Sequence, residues 1–462
     1  SRQRTWGVPI TAFTCADCGE AVIDPRIAEK AAGWMEKEGA DAWFDRDGAD
    51  FTPNGLACAA CGSKNFEKVT DILDVWFDSG VTHAAVLESH SELSWPADLY
   101  LEGSDQHRGW FHSSLLASVG TRGRAPYGTV LTHGYVVDAG GRKMSKSLKN
   151  VIAPDKIIKQ NGAEIIRLWV ASENYREDMR VSPEILKRNS EAYRRIRNTF
   201  RFFLGNLYGF DPSGEAVPYE QLPEIDRWML HKLAELVRRV HETYVRYEFH
   251  TFYQTFHNFC AVDLSAFYLD VIKDRLYCEK ADAEARRSAQ TILHRLADAM
   301  VRLMAPILAF TAEEVWERLP GDPAGREPSV HLALFPDIDE SELDEDLAGR
   351  WRRLIELREG VLKELEEARR SRDLGSALNA KVKIAASEEF RTFLEPYLGD
   401  LPALFIVSAV EVERAVSGSN PGGKPPWTVQ VEAAEGEKCE RCWMVLPSVG
   451  QNAAHPTHCG RC

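Results

Sequence analysis

Two lysines three residues apart, Lys143 and Lys146, lie among serines in the string Gly141-Arg142-Lys143-Met144-Ser145-Lys146-Ser147. Two ammonium groups at that spacing, flanked by the hydroxyls of Ser145 and Ser147, can surround a triphosphate. The chemistry that needs such a group is attack on an α-phosphate with pyrophosphate leaving. Negative charge then builds on the leaving group, and positioned cations stabilise it most in the transition state. A lone Lys-x-x-Lys would be an ordinary solvated surface. The full five-residue string, placed after a strand-like run, points to nucleotide chemistry. The preceding Gly140-Gly141 pair is expected to make the loop mobile.

A second cluster lies upstream, in Leu101-Glu102-Gly103-Ser104-Asp105-Gln106-His107-Arg108-Gly109-Trp110-Phe111. Glu102 stands beside Gly103, where a backbone without a β-carbon can approach a ligand closely, and its carboxylate can hold an α-ammonium group. Asp105 and Gln106 can hydrogen-bond ribose hydroxyls or an amino group, His107 can do the same, and Trp110 offers an apolar wall. A structural reading stands beside this one: Asp105 caps a helix starting at Gln106 and Trp110 is core, and the two roles can coexist.

Eight of the ten cysteines form four Cys-x-x-Cys pairs. No apolar signal segment opens the chain, so the pairs are expected to bind zinc and not to form disulfides. Cys439/Cys442 and Cys459/Cys462 are separated by sixteen residues, a usual spacing for a four-thiolate tetrahedron. His455 and His458 could replace a sulfur, but four cysteines make that unnecessary. Cys15/Cys18 and Cys58/Cys61 lie thirty-nine residues apart, a wider gap, and are expected to form a second, structural zinc site, with separate thiols as the alternative. Cys260 and Cys278, in apolar helical surroundings, are expected to be inert core residues.

The elements that must position these groups change character along the chain. Its 462 residues suggest about three domains. With 44% hydrophobic and 27% charged residues, wholesale disorder is excluded. No run of about 18 apolar residues occurs, so no membrane span is expected. The net charge of −14 argues against a simple nucleic-acid coat protein. Charge is nevertheless segregated: Lys187, Arg188, Arg194, Arg195, Arg197 and Arg201 face a single acid, Glu191, over fifteen residues, whereas seven of the ten residues from Asp337 to Asp346 are acidic.

Residues 1–180 mix strand and helix patterns, with strand–turn–strand over Tyr127–Val137 and a helix over Ser113–Val119. Residues 11–70 read as a zinc-stapled insertion. From Ser182-Pro183-Glu184, an N-cap followed by proline at the first helical position, the pattern becomes helical. Apolar spacing predicts helices to about Leu207, over Glu224–Tyr247, His250–Asp274 and Ala283–Met304, and from Pro306 to Leu319, a bundle of about five helices. Thr311 reads as an N-cap with Glu314 completing a capping box. Asp346–Arg372 reads as one charged helix, followed by strands at Lys381–Ala386 and Leu404–Val412 around a helix at Glu388–Tyr397. Ser417–Pro426 reads as a linker. The chain opens on Ser1 and ends on Cys462, which suggests a fragment.

Lys143–Ser147 matches the KMSKS signature of class I aminoacyl-tRNA synthetases. The Glu102–Phe111 string, Asp74-Val75-Trp76-Phe77-Asp78-Ser79-Gly80, Ser1-Arg2-Gln3-Arg4-Thr5-Trp6-Gly7, Leu168–Ser172 and Tyr193–Thr199 resemble the bacterial isoleucyl-tRNA synthetases. The resemblance runs from Ser1 to Cys462 and is weakest from about Asp337 to Glu432. It implies a multidomain α/β plus all-α protein. Residues 1–180 would be the second half of a partial Rossmann-like catalytic domain, residues 181–336 a helical anticodon-binding domain, residues 337–434 a linker helix with a small α/β unit, and residues 435–462 a zinc knuckle that assists tRNA recognition.

It also implies activation of L-isoleucine with ATP and Mg2+, then transfer to tRNA(Ile), by a cytoplasmic monomer. Lys143, Ser145 and Lys146 would contact ATP, with the two lysines catalytic. Glu102, Gly103, Asp105, Gln106, His107 and Trp110 would contact the adenylate, and Arg194, Arg195 and Arg197, beside Tyr193, would contact tRNA. For these arginines a solvated helix face is the alternative. The valyl enzyme, which shares the lysine loop, and a catalytically inactive zinc-knuckle tRNA-binding module are the alternative functions. The family carries a His-x-Gly-His string and an editing domain before the Ser-Arg-Gln segment. Neither occurs in this sequence, so the chain alone is expected not to form adenylate.

Overall fold

The computed structural model describes residues 7–145, 147–371, 374–415 and 425–462. Lys146, the opening string at residues 1–6 and most of the expected linker therefore lie outside the described residues. The chain forms two compact units: one reaches to Tyr135 and includes Arg176–Asp178, and the other comprises Val136–Tyr175 and Met179–Cys462.

In the first unit, strand Phe13–Cys15 pairs antiparallel with Ala21–Val22 on one edge and Phe66–Lys68 on the other. Helix Pro25–Glu38 starts at Asp24, whose carboxylate accepts the Arg26 N–H at 2.9 Å, with Pro25 at the first position. Phe13, Ile27, Trp43 and Phe51 are fully buried together, and the Trp43 indole N–H donates to the Val69 carbonyl. Residues 13–68 thus carry their own sheet and core.

The same unit contains a parallel pair, Ala97–Gly103 with Tyr127–His133, joined by helix Trp110–Arg122 as the crossover. Helix Val75–Gly80 packs closely on that crossover: a β-carbon at Gly80 would stand 2.9 Å from the Ser113 backbone. Glu102 and Gly103 end the first strand, opposite Thr132 and His133. The carboxyl ends of parallel strands are where α/β sheets hold ligands. Both strands expected over Tyr127–Val137 form, but not as partners. Val136–Val137 pairs parallel with Met179–Arg180 in the second unit.

In the second unit the long helices follow the expected stripes. Ser182 Oγ accepts the Ile185 N–H at 3.2 Å at the head of Pro183–Asn206. Glu224–Val245 buries Trp228, Leu233, Leu236, Val237 and Val240. The helix expected over His250–Asp274 is interrupted by a π-helical stretch, Phe259–Tyr268. That stretch buries Phe259, Cys260, Leu264, Phe267 and Tyr268, so apolar residues surround it and its sequence shows no stripe from which the register could be read.

Two expectations for the last bundle helix need correction. It spans Ala309–Trp316, with Pro306 in the turn before it and Leu308 at the N-cap position. Thr311 lies inside the helix, and the cap comes from a distance. The buried Glu164 carboxylate accepts the N–H groups of Phe310 and Thr311 at 2.9 and 3.0 Å, and the Thr311 hydroxyl as well. A carboxylate there meets the unsatisfied N–H groups and the positive end of the helix dipole. Glu164 belongs to helix Ala163–Ser172, whose Arg167 donates to the Ile307 and Pro306 carbonyls and whose Leu168 and Ala171 join the bundle core. These contacts explain why Val136–Tyr175 packs with the helices.

Helix Glu345–Arg370 covers a three-stranded sheet in which Ala380–Ala386 is central, antiparallel to Trp427–Ala433 and parallel to Ala409–Arg414. Leu404, expected in a strand, instead lies in a short helix, Leu401–Phe405, with Pro402 near its start. Leu401, Leu404 and Phe405 all enter the core, and the chain leaves through Ile406 in the left-handed region. Gly360 fits where no other residue would: a β-carbon there would lie 2.1 Å from the Trp427 ring. Gly360→Ala should therefore destabilise this unit by about 1–3 kcal/mol through overpacking, although alanine is the better helix former by about 1 kcal/mol. A raised urea midpoint would contradict that contact. Among the described residues no helix is long and apolar enough to cross a membrane.

Candidate active site and metal centres

The lysine loop grows from a tight turn. Asp138 N–H donates to the Arg142 carbonyl and Gly141 N–H to the Asp138 carbonyl, both at 2.9 Å, with Gly141 at φ 75°. Aspartate at the first position and glycine in the left-handed fourth position suit a turn of this kind. The glycine pair thus closes a defined turn and is not simply a flexible joint. Val137 bridges Lys143 across it, and Lys143 is exposed.

The largely buried Asp138 carboxylate accepts the N–H groups of Gly140 and Arg142 at 2.9 Å, Arg142 Nε at 3.0 Å and Asn150 Nδ2 at 2.9 Å. The Asn150 amide, then the Arg142 backbone and guanidinium, outweigh burial and hold this carboxyl at about 2, so it is charged at neutral pH. Asn150 Oδ1 accepts the Ser145 N–H at 2.9 Å. Ser145 Oγ lies 3.0 Å from Ser147 Oγ and accepts the Leu148 N–H at 3.2 Å, so this hydroxyl also shapes the turn.

In the other unit, Glu102, Asp105 and His107 are exposed around the end of the strand. The space above Gly103 is filled by Asp105, whose Oδ1 would stand 2.6 Å from a β-carbon there. Asp105 does not cap the crossover helix. Gln106 Oε1 accepts the Trp110 N–H at 2.8 Å instead, because a 3-10 turn, Ser104–Arg108, precedes that helix and brings Gln106 over its first amide. Trp110 stacks on Tyr100 with ring centroids 4.3 Å apart, and its indole N–H donates to the Ser79 carbonyl. Trp76 lies over Gly109, where a β-carbon would meet its ring at 3.2 Å, yet Trp76 and Phe77 remain nearly half exposed. An aromatic and aliphatic surface with a carboxylate beside it can take an amino acid with an apolar side chain. Tyr100 and Trp76 were not among the expected site residues. Glu102 and Lys143 stand in separate compact units.

The four sulfurs of Cys15, Cys18, Cys58 and Cys61 lie within 4.8 Å of one another, as do those of Cys439, Cys442, Cys459 and Cys462. Zn–S bonds of about 2.3 Å in a tetrahedron place sulfurs about 3.8 Å apart. Cys15–Cys61 and Cys18–Cys58 are 3.6 Å apart and Cys442–Cys459 3.8 Å, so both tetrads fit zinc. Gly19 N–H donates to the Cys15 carbonyl and Gly62 N–H to that of Cys58, each glycine at a positive φ. The turn recurs at Cys439, with Trp443 at φ 65° where the others have glycine. Burial raises the Cys439 thiol, but backbone N–H groups, those of Cys442, Cys459 and Arg441, outweigh it and bring it down to about 6, which favours the thiolate a metal needs. Two zinc ions per chain are expected by elemental analysis, and Cys58→Ser should reduce the count to one. A parent protein with a single ion would remove the first site.

The terminal knuckle is anchored to helix Lys273–Cys278. Arg441 donates to the Cys278 carbonyl at 2.9 Å, and Arg461 forms a two-armed pair with Asp274 at 2.5 and 2.7 Å. Cys278 is therefore a neighbour of the knuckle and not a core residue, whereas Cys260 is fully buried, its thiol pushed up by burial to about 12. Of the three arginines on helix Pro183–Asn206 that are expected to contact tRNA, Arg194 and Arg195 are exposed and make no salt bridge among the described residues. Arg197 is engaged with both oxygens of Glu314 at 2.7 and 3.1 Å.

Comparison with known proteins places these features in one lineage. Residues 1–182 match the family model for class I tRNA synthetases (I, L, M and V), residues 226–384 that for the anticodon-binding domain of tRNA ligase, and residues 436–462 that for the zinc finger found in FPG and IleRS. The isoleucine–tRNA ligases of Syntrophotalea carbinolica and Geobacter sulfurreducens are 55% and 52% identical over 464 residues, covering 100% of this chain and 50% of each relative. The fold is similar to that of a ternary LeuRS–tRNA–LeuAMS complex from Agrobacterium radiobacter, with a TM-score of 0.51 at 19% identity over 74% of this chain and 42% of that one. The chain spans about half the length of the curated relatives it matches, and it belongs to the isoleucine–tRNA ligase family of class I tRNA synthetases.

Proposed function

We propose that this chain supplies the phosphate-side loop, part of the amino-acid pocket and the tRNA-binding helices of an enzyme that activates L-isoleucine with ATP to isoleucyl-adenylate and transfers the isoleucyl group to tRNA(Ile). The observation that carries this reading is the hairpin that presents Lys143 and Ser145 from the end of strand Val136–Val137. In the proposed reaction the isoleucine carboxylate attacks the α-phosphorus of ATP, which enters with Mg2+. The bond to the β-phosphate oxygen breaks and pyrophosphate leaves. Lys143 and Lys146 stabilise the charge on the departing pyrophosphate. Glu102 holds the isoleucine ammonium group, and the Trp110 surface takes its aliphatic side chain. Asp105 and His107 reach the ribose or amino group, as does the part of Gln106 left free by its bond to Trp110.

Transfer then draws on the second unit. Arg194 and Arg195 offer guanidinium groups to tRNA phosphates. Arg197 acts chiefly by fixing the Ala309–Trp316 helix through Glu314. The exposed Trp443 ring on the zinc knuckle gives a flat face on which a base can stack. The reading places the enzyme among soluble translation components of the cytoplasm.

Isoleucine-dependent ATP–pyrophosphate exchange by the full-length gene product tests this reading. Exchange is expected with isoleucine in preference to valine, followed by charging of tRNA(Ile). A preference for valine would assign the valyl activity instead, and tRNA binding without any exchange would leave the inactive tRNA-binding module.

A further inference from the structure

Asp138 and Asn150 form a side-chain bridge under the lysine loop, on either side of the segment that carries Lys143 and Ser145. The carboxylate of Asp138 collects four donors, two of them the backbone N–H groups of Gly140 and Arg142 and one the Asn150 amide. Asn150 uses its other end: its Oδ1 takes the Ser145 N–H, and its Nδ2 also lies 3.4 Å from the Lys143 carbonyl. The backbone at Gly140 and Arg142, before the lysine segment, and at Lys143 and Ser145, within it, is thereby tied by one carboxylate and one amide. Exposed loops ordinarily leave their backbone amides to water.

We propose that Asp138 and Asn150 are positioning residues for the activation step, which set the backbone on which the loop lysines are presented to the departing pyrophosphate. Neither side chain needs to touch the nucleotide. Asp138 faces Arg142 and Asn150, and Asn150 faces Asp138 and the loop backbone. Their contribution is geometric: cations held in place before the reaction stabilise the transition state without reorganising. The proposal rests on the isoleucine-activation reading.

The chemistry of the pair allows a reciprocal test. Asp138→Asn sets two NH2 groups against each other, and Asn150→Asp sets two carboxylates against each other. Combining both changes restores one donor facing one acceptor with the polarity reversed. In the full-length gene product, each single variant is expected to lower kcat for isoleucine-dependent exchange about 10²-fold, the scale of a misplaced reacting group, with the KM for isoleucine unchanged. The double variant should be faster than either single one. Parental kcat in the singles, or losses that simply multiply in the double, would overturn the proposal. A separate reading does not depend on activity: Asn150→Ala should lose hydrogen-exchange protection at the Ser145 amide, and retained protection would also overturn the bridge. If the parent showed no isoleucine-dependent exchange, the activation reading would fail, while the Ser145 amide would still report on the bridge.

Discussion

Lys146→Ala and Lys143→Ala are each expected to reduce turnover in isoleucine-dependent ATP–pyrophosphate exchange by about 10²–10³-fold, the loss typical of removing one group that stabilises developing charge. The KM for isoleucine should stay within about twofold of the parent. The reason lies in when each interaction forms. In the proposed reaction the ammonium groups meet charge that grows as pyrophosphate departs, so their contribution is larger in the transition state than in the ground state. Glu102→Gln should do the opposite and raise the KM for isoleucine, because in the proposed pocket the carboxylate meets an ammonium that is charged throughout the reaction. Steady-state exchange with each substrate varied in turn separates the two patterns. Equal losses of kcat and isoleucine affinity in the lysine variants would contradict their assigned role.

Asp226→Ala should be the most destabilising single change in the helical domain. Asp226 is fully buried, pairs with both arms of Arg275 at 3.0 and 2.6 Å and accepts the Tyr268 hydroxyl at 2.8 Å. It joins helix Glu224–Val245 to the end of the π-helical stretch and to helix Lys273–Cys278, the platform that holds the zinc knuckle. Removing one partner strands the guanidinium and the phenol away from water, at a cost of about 3–5 kcal/mol. The paired replacement Asp226→Leu with Arg275→Met should cost less than Asp226→Ala alone, since no uncompensated charge remains. Urea unfolding followed by tryptophan fluorescence measures both. A loss below about 1 kcal/mol for Asp226→Ala would mean that water reaches the site.

The terminal zinc tetrad was legible because its four cysteines recur at a spacing set by a short turn and a short loop, and the KMSKS string because it is contiguous. Strand Trp427–Ala433 was missed although Trp427-Thr-Val-Gln-Val-Glu-Ala alternates with the period of a strand; the Gly/Pro-rich segment before it drew the reading toward a linker. Asp138 and Asn150 left only a faint trace. An aspartate three residues before a left-handed glycine suggests a turn, but nothing local shows that its carboxylate also holds an asparagine twelve residues away. Tyr100 was overlooked because its role is to stack on Trp110 from another element.

Short-range cues settled what short-range forces control: the Ser182 cap and Pro183 start, the apolar stripes of the long helices and the Cys-x-x-Cys turns. Tertiary structure alone decided which distant groups meet. It closed the first cysteine tetrad across thirty-nine residues, brought Glu164 to cap a helix 146 residues further on, tied Arg197 to Glu314 and gave Val136–Val137 its parallel partner in Met179–Arg180. The physical reason is that a local cap or turn is stabilised by neighbours along the chain, whereas a long-range cap, ion pair or strand pairing forms only after packing of the core has brought its two halves together.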